Sequence, residues 1–141
     1  MDFFATNRLN KSINNLLSKT KNYGCILNHL FNAFNNKSDD DLFENGYRLN
    51  GNHPIARMLK LRVQSCGGNA KSEGFRVIVF VNKNTNKFYF LDIYPKKGPL
   101  AKSNMKKDER KNCLIELNEE KEKLYIIDFD TKKELIIIKK P

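Results

Sequence analysis

Lys60, Arg62, Arg76, Tyr94 and Lys96 are the residues whose types and spacing could do chemistry together. Lys60 and Arg62 stand two apart in Met58–Gln64, where Leu59, Leu61 and Val63 alternate with them, so both cations share the solvent side of a half-buried strand. Arg76 alternates with Phe75 and Val77 in the apolar run Phe75–Val81, and Tyr94 and Lys96 lie at the end of a third run, Lys87–Tyr94. Side by side, these strands would form a cationic groove with a phenol at its rim. Such a groove suits RNA, because cations hold phosphates and an aromatic or guanidinium plane stacks an unpaired base. It could also catalyse. Cleavage by the RNA's own 2′-hydroxyl needs that oxygen deprotonated, the extra charge at phosphorus neutralised and the leaving 5′-oxygen protonated, tasks that Lys, Arg and Tyr can share without a metal. An ordinary lysine titrates near 10.4 and a tyrosine near 10, too high for a base at pH 7. Crowding like charges lowers a lysine, which is why a groove of this kind needs many cations. On charge and strand parity alone, a solvated basic sheet face is an equal reading.

The charge distribution singles out the same stretch. Residues 57–111 hold 14 Lys/Arg against 4 Asp/Glu, whereas residues 1–56 (6 against 5) and 112–141 (6 against 7) together sum to zero, so this block carries the whole net charge of +10. A compositional bias toward lysine would spread the charge evenly; a basic block favours a polyanionic partner, whether nucleic acid, an anionic membrane surface or an acidic protein. A length of 141 residues with 40% hydrophobic composition fits one domain with a real core. Cys25, Cys66 and Cys113 are odd in number and widely spaced, with no CxxC and no close His, which argues against a disulfide framework or a zinc site and fits a reducing compartment. No apolar run approaches a membrane span, and the N-terminus lacks a basic region followed by an apolar one. A cytoplasmic protein that needs no cofactor and meets no membrane is the expectation.

The elements that must position the groove are legible as periods. Phe3-Phe4 can start a short strand; Leu9, Ile13, Leu16 and Leu17 then repeat at helical spacing behind a Thr6 cap, and Ile26, Leu27, Leu30, Phe31 and Phe34 mark a second stripe. Both stripes read as core-facing, forming an αα-hairpin that serves as scaffold. Glu44-Asn-Gly46 and Asn50-Gly-Asn-His-Pro54 carry turn chemistry. The three strands then follow as an antiparallel meander, with a flexible turn bracketed by Gly67 and Gly74 and a polar hairpin at Asn82–Asn86. Beyond Pro95 a loop exposes Lys96, Lys97 and Lys102. A helix from about Asn104 to Lys121 with Ser103 as N-cap would have a basic first turn, which the helix dipole disfavours unless an anion binds nearby. Leu124–Phe129 and Leu135–Lys139 form a terminal hairpin that either extends the sheet or meets a partner.

The ordered set Lys60-Leu-Arg-Val, a Gly- and Lys-bearing loop, Gly74-Phe-Arg-Val-Ile-Val-Phe-Val, a polar hairpin and Leu91-Asp-Ile-Tyr-Pro-Lys, preceded by a helical hairpin, resembles the RelE/HigB-like toxins of bacterial type II toxin–antitoxin modules. The resemblance covers roughly residues 3–110. It implies an α+β fold, a helical hairpin packed on a small antiparallel sheet, to which residues 111–141 add a C-terminal helix and β-hairpin, all within a single domain 1–141. It implies a metal-independent endoribonuclease acting on mRNA, often on the ribosome, and held inactive by a cognate antitoxin. Carried over, Lys60 and Arg62 match the basic pair assigned proton transfer and phosphate binding, Arg76 the arginine that stabilises the transition state, and Tyr94 and Lys96 the end of the strand facing the same groove. Lys71, Lys97 and Lys102 would be RNA-binding contacts to phosphate. Tyr125 does not align with the tyrosine that some family members carry after the last core strand. The resemblance also reaches ParE-like gyrase poisons, which keep the scaffold without the nuclease groove; a basic module that binds nucleic acid or an acidic protein without cutting is a further rival. His29 and His53 read as structural, Glu73 and Asp92 as partners that orient an arginine, and the cysteines as small buried apolar residues.

Overall fold

The structure is a computed structural model that describes residues 2–19, 21–37, 41–42, 46–49, 55–67 and 74–141. In chain order its elements are β1 (Asp2–Ala5), α1 (Asn7–Lys19), a 3-10 turn (Lys21–Tyr23), α2 (Ile26–Phe34), β2 (Tyr47–Arg48), β3 (Ala56–Val63), β4 (Phe75–Asn82), β5 (Lys87–Pro95), α3 (Lys107–Glu119), β6 (Tyr125–Asp130) and β7 (Leu135–Lys139). The seven strands form one mixed sheet in the order β2-β3-β4-β5-β1-β6-β7. The expected meander is present as β3-β4-β5, but the sheet is larger and not wholly antiparallel. The reason is β1, which lies between β5 and β6, parallel to the first and antiparallel to the second. Phe3 wedges this short strand into the core against Phe88, Phe90 and Phe129. Through β1 the terminal hairpin joins the same sheet, and Ile127 and Ile136 belong to the same apolar core as both N-terminal helices.

Alternation along the strands separates two faces. Leu59, Leu61, Val63, Phe75, Val77, Val79, Val81, Phe88 and Phe90 point toward the N-terminal helices, which return Leu9, Ile13 and Leu16 from α1 and Ile26, Leu30, Phe31 and Phe34 from α2. Burying one such side chain stabilises by about 1.5–3 kcal/mol, so this face supplies most of the driving force. Leu17, part of the expected stripe, stays exposed. Thr6 caps α1 as expected, accepting the Leu9 amide at 3.4 Å while its hydroxyl donates to the Leu91 carbonyl at 3.1 Å. α1 packs on β5, while α2 packs on β7 and also touches β3. Those two strands lie on opposite sides of the sheet, so the sheet must curl around the helices until α2 spans its open seam. Asn28 of α2 donates to the Glu134 carbonyl at 2.7 Å, and the His29 Nδ1–H donates to the Gln64 carbonyl at 2.7 Å.

The cysteines depart from the sequence reading. Cys25 and Cys66 form a disulfide, with Cα atoms 5.6 Å apart, that staples the start of α2 to the end of β3 beside the His29 bond. Their separation of 41 residues gave no spacing signal, because the seam that brings them together exists only once the sheet has curled. Disulfides are rare in reducing compartments, so this pair removes the ground on which a cytoplasmic location was expected. Cys113 is free and buried, its thiol pushed up to about 12, first by burial and then by the Asp92 charge. Among the described residues no helix is long and apolar enough to cross a membrane.

The C-terminal helix also starts later than expected. α3 begins at Lys107, so its first turn holds Asp108 and Glu109 rather than a run of lysines. Glu109 accepts the Lys106 amide at 3.2 Å. The dipole is therefore satisfied internally, and the case for an anion at this helix end lapses.

Candidate nucleic-acid interface

α3 lies on the sheet face opposite α1 and α2, where Cys113, Leu114, Leu117 and Met105 meet Met58, Ile78, Leu91 and Tyr94. It covers only part of that face. Toward the C-terminal ends of β3 and β5 the register brings Arg62 opposite Arg76, and Arg76 opposite Tyr94, in one lateral row across three strands. Lys60 lies one step along on the same face of β3, paired across the edge with Tyr47 of β2.

Tyr94 reaches that row because of a bulge. Phe88 and Phe90 point into the helix-side core, and unbroken alternation would send Tyr94 after them. Ile78 pairs with Asp92 whereas Val79 pairs with Phe90, leaving Leu91 as an extra residue that reverses the parity of everything after it. α1 and its cap hold the bulge: the Thr6 amide donates to the Phe90 carbonyl at 3.1 Å, the Thr6 hydroxyl to Leu91, and the Ser12 hydroxyl to Asp92 Oδ1 at 2.6 Å. Asp92 Oδ1 also accepts the Ile93 amide at 2.8 Å. Asp92 thus supports the bulge rather than orienting an arginine, and burial pushes its carboxyl up against the opposing pull of those bonds. Arg8 of α1 pairs with a carboxylate of α3, its Nε 2.7 Å from Glu116.

The cations interact as a cluster. Burial is the largest influence lowering the Lys60 ammonium, followed by the charges of Lys96, Arg76, Arg62 and Arg110. Lys96 is lowered by burial and then by Arg76 and Arg62, and Arg76 by burial and then by Arg62. Burial disfavours each charged form first, and the neighbouring like charges add to it. Exposure divides the group. Arg62 is exposed and Lys60 and Lys96 half-buried, whereas Arg76 and Tyr94 are each 4% exposed and form the floor. Tyr94 therefore lies beneath the groove and not at its rim, with the Lys96 and Lys102 ammoniums 5.9 and 5.7 Å from its ring centre. Among the described residues its hydroxyl is the buried side-chain polar atom without a hydrogen-bond partner. Burial pushes this phenol up; Arg76 and the nearby Met105 amide, outside bonding geometry, draw it partly back.

The outer contacts fare unevenly. Lys102 is paired with Glu109 of α3, so a carboxylate already answers its charge. The Lys97 side chain is exposed, while its carbonyl accepts the Tyr23 hydroxyl at 3.0 Å. A Cβ on Gly98 would overlap that same hydroxyl, which keeps the loop tight. Lys71, His53 and Glu73 lie outside the described residues. Two members of the site escaped sequence reasoning. Arg110 comes from α3, and only the packing of that helix across the sheet reveals its proximity to Lys60. Tyr47 sits in a strand of two residues, too short to show a period.

No protein-family model matches the chain, and neither the curated proteins nor the solved structures give a significant match. The fold and this face define an α+β protein with a seven-stranded mixed sheet and a cationic row on the side away from its N-terminal helices.

Proposed function

We propose that this protein is a metal-independent endoribonuclease, the toxin of a type II toxin–antitoxin module, acting on mRNA through the Lys60 groove. The observation that carries the reading is the crowding of Lys60, Arg62, Arg76 and Lys96 on one face, with Lys60 lowered by burial and by its neighbours' charges. A lowered lysine has a larger neutral fraction near neutrality and can take the 2′-hydroxyl proton. The 2′-oxygen then attacks phosphorus, the bond from phosphorus to the 5′-oxygen breaks, and a 2′,3′-cyclic phosphate and a 5′-hydroxyl result. Arg62, the exposed cation of the row, binds the phosphate and offsets the charge that develops on it, while Arg76 adds its charge from the floor. Lys96, on the far side of the row, protonates the leaving oxygen. Tyr94 positions Lys96 by lying under it. An acidic antitoxin segment laid over this face would neutralise it and block RNA together.

A second reading, binding without cleavage, is favoured by the burial of Tyr94 and by the Lys102–Glu109 pair, which leave fewer free groups than a nuclease groove with a rim phenol would have. Induced expression in a bacterial host, with transcript ends mapped beside Lys60→Met and Arg62→Ala, separates the two. New cuts in translated messages that vanish in both variants support the nuclease. Growth arrest with intact messages, unchanged by the variants, overturns it in favour of a target such as DNA gyrase.

A further inference from the structure

Tyr47 is the most exposed large apolar side chain of the described residues, at 65%. Exposed tyrosines are common singly and mean little. This one is held in place by three features. β2 is two residues long and pairs Tyr47 directly with Lys60, whose ammonium lies 5.2 Å from the ring centre. Gly46 precedes it with φ +90°, and a Cβ there would overlap Leu61 Cδ2, so only glycine lets the chain close onto β3 at this point. A groove of about 960 Å³ opens beside the ring at the edge of β3, its charged lining three cations, Lys37, Lys60 and Arg62, against one carboxylate, Asp41, and its apolar lining including Leu61, Val63 and Phe34. That volume lies in the range of small-ligand sites, and the pairing of apolar wall with cationic lip matches a nucleotide, whose base is flat and apolar and whose phosphate is anionic.

We infer that Tyr47 is a stacking platform for an unpaired RNA base, which makes the groove selective for single strands over duplex. The inference rests on the proposed RNA-binding role of the Lys60 face and deepens it. Two strand spacings across and two residues along separate Tyr47 from the Arg76 position, roughly 12 Å, so one short stretch of single strand can lie over both. A duplex hides its base faces in its own stack, and an aromatic ring on a sheet edge gains nothing from it. The phosphates would contact Lys60 and Arg62 in either case. Tyr47 therefore contributes discrimination, and the cations contribute general affinity.

The chain contains no tryptophan, which makes the test direct. Tyr47→Trp places a single reporter at the platform, to be titrated with a single-stranded oligouridylate and with duplex RNA, alongside Tyr47→Ala and the unaltered protein. Expected are quenching of the tryptophan emission by the single strand and not by duplex, and a loss of roughly 5- to 100-fold in single-strand affinity for Tyr47→Ala. Duplex affinity should be unchanged. If the unaltered protein binds the single strand, while Tyr47→Ala binds it equally well and the tryptophan emission stays constant at saturation, the platform is overturned and the RNA-binding face survives. If the unaltered protein binds no RNA, the proposed function falls and the platform falls with it. Far-UV circular dichroism of Tyr47→Ala checks that removing so exposed a side chain leaves the fold in place.

Discussion

The two faces of this sheet are built from the same strands and differ in what covers them. On the helix side, Leu59, Leu61 and Val63 meet α1 and α2 in a core that is apolar from β3 to β7. On the other side, Lys60 and Arg62, the residues between them, share a face with Arg76, beside the apolar cluster that α3 forms there. The first arrangement lowers the energy of the fold. The second raises it, because gathered cations repel one another and lose hydration, as the lowered Lys60, Arg76 and Lys96 show. A stable fold has no need of such a row, which is why the proposed function is placed on it.

The contrast can be broken most severely from the helix side. Phe90→Ala empties a site that packs against Phe3, Phe34 and Phe88, and should destabilise by about 3–5 kcal/mol in urea unfolding. On the cationic side the same experiment should show almost nothing for Arg62→Ala, while RNA cleavage falls by about 100- to 1,000-fold in single-turnover assays. Equal stability losses on both faces would remove the distinction. Breaking the Cys25–Cys66 staple with a double serine substitution should cost about 2–4 kcal/mol, read as a lower unfolding midpoint under oxidising conditions that reductant reproduces in the unaltered protein.

Finer tests use pH. Burial and neighbouring charges lower Lys60, so the rise of cleavage with pH should begin below the ordinary lysine range. Arg62→Gln removes one of those charges, favours the protonated lysine and should move the rising limb to higher pH. A limb that stays in place would detach Lys60 from the row. Lys60 and Lys96 also bind protons less tightly folded than unfolded, so their contribution to stability should rise with pH toward the ordinary lysine value. The smallest effect is expected at Asp92. Its carboxyl is raised by burial, so the proton is held more tightly in the folded state, and stability from this group falls as pH climbs above the ordinary carboxylate range. Asp92→Asn keeps an oxygen for Ser12 and Ile93 and should leave stability at neutral pH equal or slightly higher, by thermal melting.

Much of this was legible from period alone. Alternation of Leu59, Lys60, Leu61 and Arg62 defines a strand with two unlike sides, and the spacing of Leu9, Ile13 and Leu16 defines a helix with one buried stripe. The parts that escaped depend on contacts distant in sequence. Asp2–Ala5 has nothing to mark it as an interior parallel strand until Phe3 meets three aromatic rings from β5 and β6. The Leu91 bulge is marked in the sequence by Asp92 alone, a carboxylate that unbroken alternation would send into the helix-side core with Phe88 and Phe90; its apolar neighbours Leu91 and Ile93 suit either side and do not place the change of parity that turns Tyr94 over. Cys25 and Cys66 meet only across the seam that α2 closes. The strand sides of Lys60, Arg62 and Arg76 follow from parity and the place of Lys96 from the end of the third strand, whereas the burial of Arg76 and Tyr94 and the proximity of Arg110 and Tyr47 depend on the packed sheet.

The most direct measurement is incubation of the purified protein with single-stranded RNA in the presence of EDTA, with the new termini identified chemically. The expected result is cleavage that chelator leaves intact, ending in 2′,3′-cyclic phosphate and 5′-hydroxyl and falling by about 100-fold or more in Lys60→Met. RNA that is bound and released whole, or cleavage undiminished in Lys60→Met, would contradict catalysis by the cationic row.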